Sequence, residues 1–158
     1  MSRLPDLGPR GEGWVAIQFA LLAAVALAGL VDPATVPQPP AIATAVGLAF
    51  MASGALLVGR GLLDLGRNLT PVPHPRDDAQ LVVSGVYANA RHPIYGGLVL
   101  TALGWALVSA SPLALGLGVV LAIFFELKSR REEAWLIARY DGYPAYMERT
   151  KRFVPYLF

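Results

Sequence analysis

The chain has 158 residues, 55% of them apolar and only 15% charged, well short of the roughly 25% charged residues of a soluble domain. It contains no cysteine, which excludes disulfides, thiol nucleophiles and cysteine-ligated metals. The net charge of +2 is small, so the placement of the charges says more than their sum.

Four stretches approach the roughly 20 apolar residues that cross a bilayer at about 1.5 Å rise per residue. They are Trp14 to Val31, Ala41 to Gly59 with a helix continuing toward Leu65, Ile94 to Ala110, and Pro112 to Phe125. The first is too long for a signal-peptide core, and Val31-Asp32-Pro33 is no small-residue cleavage site. All 13 basic residues fall in the N-terminal tail, around the 60–91 connection, or after the fourth stretch. The connections at Asp32–Pro40 and Ser109–Pro112 hold none. Under the positive-inside rule, both termini and the long connection face the cytoplasm. The expectation is an all-α integral membrane fold: one domain over residues 1–158, four transmembrane helices, the last two a helical hairpin, and a cytoplasmic C-terminal helical extension.

Residues 1–13 read as a loose cytoplasmic tail. Ala16, Ala20, Ala24 and Ala28 in the first span, and Ala41, Ala45, Ala49 and Ser53 in the second, recur every four residues. Small residues at that spacing let backbones approach, so these two spans are expected to pack on each other. The Val31–Pro40 segment reads as a spacer. Arg60, Asp64 and Arg67 read as an ion-paired end of the second helix. The prolines at 71, 73 and 75 favour a stiff extended segment; His74, Asp77 and Asp78 beside them are too sparse for a metal site. Gly85 is a turn.

Pro93 suits the first position of a helix and pushes His92 out of helical geometry. Arg91 and His92 therefore sit at the membrane surface, at a helix N-terminus that favours anions. A positively charged anchor beside the span is the plainer reading of the same residues. Ser111 caps the next helix and Pro112 opens it. That helix meets no breaker before Asp141-Gly142, so it runs from Pro112 to about Tyr140, with Glu126 and Arg130 paired across one turn. Gly142 ends it, and Pro144 starts a short helix through about Lys151. The aromatic run Phe153–Phe158 suits an interface or a pocket cover.

Two polar groups thus converge at one membrane surface: Arg91-His92-Pro93-Ile94-Tyr95, and Arg131-Glu132-Glu133 on the extension of the hairpin partner. Carboxylates suit an ammonium, Arg or His with a helix N-terminus suits a carboxylate, and tyrosine faces suit a sulfonium. The plainer reading of Glu132 and Glu133 is a solvated helix face paired with Lys128 and Arg130. Gly85-Val86-Tyr87, Arg91-His92-Pro93-Ile94-Tyr95-Gly96, Glu132-Glu133, and Tyr143 and Tyr146 before Pro155 together resemble the isoprenylcysteine carboxyl methyltransferase and phospholipid methyltransferase group, above all its short bacterial members. The resemblance covers about residues 40–156. It implies a bacterial cell-membrane enzyme that uses S-adenosylmethionine, with its cofactor-binding core in about residues 81–156.

The resemblance further implies that His92, Tyr95, Glu132, Glu133, Tyr87 and Gly96 line the cofactor site, and that Glu133 and Arg91 are the catalytic residues. The implied acceptor is lipophilic: a prenylated cysteine carboxylate, a phospholipid amine, or a small hydrophobic thiol or acid. An amine or thiol needs a base, for which Glu132, Glu133 and His92 all stand; a carboxylate needs only orientation, by Arg91 or a neighbouring arginine. Membrane lipids are the other expected partners, and the scattered basic residues give no case for nucleic acid. The alternatives are an NADPH-dependent membrane reductase of the sterol-reductase kind and a non-catalytic protein that binds a lipid or a partner helix.

Overall fold

The structure, a computed structural model, describes residues 5–31, 39–70, 72 and 79–155. Expectations attached to the Val31–Pro40 spacer, the proline-rich segment with His74, Asp77 and Asp78, and the aromatic end beyond Pro155 lie largely outside those residues. The described residues form five α-helices and two short 3-10 turns, with no β-strand among them. Three helices are long and apolar enough to cross a membrane: α1 (Glu12–Val31), α2 (Ala41–Leu65) and α4 (Pro112–Arg139). The apolar helix α3 (Pro93–Ser109) is shorter, with 17 residues, and α5 is Tyr143–Arg149.

The proline and serine signals act where they stand. His92 is the N-cap of α3 and Pro93 opens it. Ala110 takes a left-handed conformation (φ 49°, ψ 32°) that lets its N–H reach the last carbonyls of α3. The side chain of Ser111 then accepts from the backbone of Ala114 at 3.0 Å and starts α4. Only Ala110 and Ser111 separate the two helices, which returns the chain to the end where His92 lies. Beyond its apolar part, Pro112–Phe125, α4 runs on as a polar extension. It ends at Arg139 with Tyr140 as its C-cap, at the expected place. Tyr140 turns extended, its hydroxyl donating to the Ala79 carbonyl at 2.7 Å and its own carbonyl accepting from Tyr143 at 3.0 Å. Gly142 serves instead as the N-cap of α5.

The packing of the first two spans differs from the alanine reading. α2 lies along α3, and α1 lies against α4 and α3. Ala41, Ala45, Ala49 and Ser53 are exposed, whereas Gly47, Gly54 and Gly61 are buried. These glycines recur at every seventh position, and α3 answers with Gly97 and Gly104. A Cβ on Gly47 would meet the Gly104 carbonyl at 2.7 Å, and one on Gly97 would meet the Gly54 carbonyl at 2.6 Å. Alanine is already too large at these crossings. Only glycine permits the close approach that dispersion and weak polar contacts reward in lipid.

The rest of the core joins Trp14 and Val25 of α1 to Ala102 of α3, Leu121, Phe124 and Phe125 of α4, and Phe153. α2 delivers its end, α3 its start and α4 its polar extension to one end of the bundle.

Candidate active site

The segment that opens α3 is held from behind by the C-terminal segment. Arg91 and His92 donate their backbone N–H groups to Lys151 (2.9 Å) and Arg152 (2.7 Å), and Lys151 donates back to Asn89 at 3.0 Å. This miniature ladder fixes the two residues before Pro93 removes a donor from the chain. Gly96 belongs to the same contact: its α-carbon faces the Phe153 carbonyl so closely that a Cβ would collide with it. Gly96 therefore packs against the C-terminal segment and stands outside the cavity wall.

The two polar groups meet. His92 Nε2 lies 3.2 Å from Glu133 Oε1, and His92 Nδ1 lies 3.8 Å from Glu132 Oε2. Tyr95 donates its hydroxyl to Glu132 Oε2 at 2.9 Å. The His92 and Tyr95 rings are parallel at 5.4 Å, and Tyr95 stacks on Phe125 at 4.6 Å. The aromatic column thus carries the apolar core up to the carboxylates.

The adjacent glutamates have different surroundings. Both oxygens of Glu133 are engaged: Oε1 accepts from Arg91 Nε at 2.8 Å and faces His92, while Oε2 accepts from Arg152 at 3.2 Å. Its side chain is only 4% exposed. Burial alone would raise its pKa, but the hydrogen bond and charge of His92, then those of Arg91 and Arg152, bring it down to about 2. Arg152 also pairs with Glu126, which holds Arg130 at 2.8 Å. Glu132 instead stands in the wall of a cavity of about 300 Å³, its side chain 24% exposed. The solvated-face reading fails for both. Lys128, its expected surface partner, is buried and donates to Gln18 of α1.

The cavity is walled by Tyr87, Arg91, His92 and Tyr95 on one side and by Lys128 and Glu132 of α4 on the other. Leu62 and Leu65 of α2 add apolar surface, and Tyr140, Tyr143 and Tyr146 close the polar end. Arg91 Nη1 donates to the carbonyls of Met147 (3.1 Å) and Thr150 (2.5 Å), which anchors its guanidinium to α5. The Tyr87 hydroxyl donates to Gly61 at 3.3 Å, and Tyr146 donates to the Tyr87 carbonyl at 2.6 Å. Burial raises the pKa of Tyr87 and Tyr143 and pushes Tyr146 up to about 12, so these hydroxyls stay protonated donors. Arg131 turns away to lie over the Trp135 ring at 4.0 Å and to pair with Asp6.

Sequence reasoning did not single out Gln18 or Lys128 as site residues. One signal was available: Lys128 precedes Glu132 by four residues, on the same helical face.

Residues 42–142 match the family described as phospholipid methyltransferase. The protein-S-isoprenylcysteine O-methyltransferase of Schizosaccharomyces pombe is 29% identical over 112 residues, which are 68% of this chain and 48% of that protein. The protein of the same name from Mus musculus is 31% identical over 121 residues, 72% of this chain and 42% of its own length. The chain spans about half the length of the curated relatives it matches. A eukaryotic intramembrane Ras methyltransferase, isoprenylcysteine carboxyl methyltransferase, shares the fold with a TM-score of 0.71 at 22% identity, covering 90% of this chain and 53% of that one. The apolar helices and these relatives make the chain an integral membrane protein.

Proposed function

The chain belongs to the phospholipid methyltransferase family, and on that footing we propose that it is an integral-membrane methyltransferase using S-adenosylmethionine. It transfers a methyl group to a lipophilic acceptor at the cytoplasmic face of the membrane. In this reading α1 to α4 all span a bacterial cell membrane, α3 and α4 as a hairpin, and the cavity end and both termini face the cytoplasm.

The observation that carries the reading is the junction of Glu132, His92 and Tyr95. A carboxylate with an open face stands beside aromatic rings in a half-enclosed cavity, where α3 begins and α4 passes from apolar to polar. When bound, S-adenosylmethionine supplies a methyl group activated by a sulfonium. Glu132 would hold the donor's ammonium, with Tyr95 and Tyr87 offering aromatic rings to positive charge.

Arg91 is the residue for orienting an acceptor carboxylate, since it stands in the wall with its guanidinium locked in place. Glu133 acts through it as a positioning residue: a carboxylate with a pKa near 2 is a poor proton acceptor but a firm counter-ion. The chain's contribution is alignment and exclusion of water, not a covalent intermediate. For an amine or thiol acceptor, Glu132 is the carboxylate in the cavity wall that could take the proton.

The experiment is incubation of membranes containing the chain with S-adenosylmethionine labelled in its methyl group, then identification of the lipid-phase product. Label in a lipophilic ester, amine or thioether supports the reading and names the acceptor. No transfer, together with no binding of S-adenosylhomocysteine to the solubilised chain, would overturn it.

A further inference from the structure

Lys128 is 1% exposed and ranks among the largest fully buried side chains, yet it stands in the cavity wall. Its ammonium has three donors. One meets the Gln18 side-chain oxygen of α1, and the Tyr95 ring lies 5.0 Å away. Among the described residues no carboxylate lies within ion-pair distance of it, and Glu132, one turn along α4, gives its oxygen to Tyr95 instead. A buried cation is costly unless paired and hydrogen-bonded. Glu132 attracts the ammonium from one turn away, but only one neutral amide and one ring face meet it directly, and a methionine at this place would fill similar space without burying a charge.

The other cation in the wall is differently committed. Arg91 gives Nε to Glu133 and Nη1 to Met147 and Thr150. Lys128 therefore has donor capacity that the protein does not use, aimed into a cavity. The anion that completes it must come from a ligand. Gln18 holds the ammonium against α1 and so sets where that anion sits.

We infer that Lys128, positioned by Gln18, is a second cation of the cavity, beside Arg91, that binds a ligand carboxylate. The inference rests on the methyltransferase reading, under which two reactants supply one: the amino-acid end of the donor, or a lipophilic acid as acceptor. With Arg91 serving one such group, Lys128 serves the other.

The test uses the full chain in detergent, as wild type, Lys128→Met and Lys128→Arg. Binding is measured for two matched pairs of compounds. S-Adenosylhomocysteine is set against methylthioadenosine, which lacks the amino-acid end. N-Acetyl-S-farnesylcysteine is set against its carboxamide. In Lys128→Met the carboxylate of one pair should weaken by about tenfold or more while its carboxylate-free partner is unchanged; Lys128→Arg should recover most of the loss. The pair that responds identifies the source of the anion.

The inference fails if both carboxylates bind Lys128→Met as tightly as wild type, or if the carboxylate-free compounds lose as much as the acids. Should Lys128→Met show no cooperative thermal transition, Lys128→Gln, which can still hydrogen-bond Gln18, is read by the same criteria. A wild-type chain that binds neither adenosine compound would overturn the methyltransferase reading itself. Binding that ignores position 128 overturns only this inference.

Discussion

The α2–α3 seam and the ionic cluster at its base are built on opposite principles. Along the seam nothing is charged: Gly54 and Gly97 bring two backbones together, and neighbouring side chains such as Val58 and Thr101 pack against the crossing. At the base charge answers charge: Arg91, Glu133, Arg152 and Glu126 form one chain of ion pairs. The seam sets where α3 begins relative to α2, and the cluster sets which way the side chains at that beginning point. A cavity with fixed polar walls needs both, because alignment without charge binds nothing ionic and charge without alignment is repaid by water.

The largest effect should come from Glu133. Glu133→Gln leaves the buried Arg91 side chain beside a neutral amide and the half-buried Arg152 with Glu126 alone. Loss of one partner from a buried pair costs on the order of 3–5 kcal/mol, enough to lower the melting temperature sharply and to abolish methyl transfer. A variant that melts within a few degrees of wild type and still turns over would show that the cluster is dispensable.

Acid probes the same carboxylate without a mutation. Its pKa in the fold, about 2, lies below the ordinary 4.5. Ionised Glu133 therefore adds stability above about pH 4.5, and that stability drains away as pH falls toward 2. Thermal melting across this window should fall in wild type and fall less in Glu133→Gln. Equal slopes would remove Glu133 from the account.

The seam is broken by Gly54→Val, whose side chain would have to occupy the space of the Gly97 carbonyl. Overpacking of this kind costs about 1–3 kcal/mol. The loss should appear in melting and, through a displaced α3, in affinity for S-adenosylhomocysteine. Tyr95→Phe should be milder: it deletes one hydrogen bond to Glu132, and should lower stability by about 1–2 kcal/mol and weaken donor binding several-fold. Gly59→Ala is the control with the smallest effect. No atom from another element lies within 4 Å of a Cβ there, so the substitution meets no clash and should leave stability unchanged or raise it by up to about 1 kcal/mol through helix propensity. A drop as large as that of Gly54→Val, at a site with no neighbour to clash with, would mean that close approach does not explain the seam.

Much of the fold was legible in the chain itself. Apolar length located the long helices, and Pro93, Ser111 and Pro112 marked the starts of α3 and α4 because they act on their own backbone. The pairing of Glu126 with Arg130 and the turn at Gly85 are equally local. Resemblance placed Arg91, His92, Tyr95 and Glu132 in one site, and the fold brings these four to one cavity.

Other features needed three dimensions. A four-residue alanine repeat looks like a packing face whether it meets a helix or lipid, and here the glycines at every seventh position formed the contact instead. Gly96 was read with its motif, but a helix turns successive residues about 100° apart, which aimed it at Phe153 while Tyr95 faced Glu132. The same rotation separates Glu132 from Glu133. Identical side chains in adjacent positions became an open carboxylate and a buried counter-ion, because only the assembled bundle determines which of them meets Arg91 and Arg152.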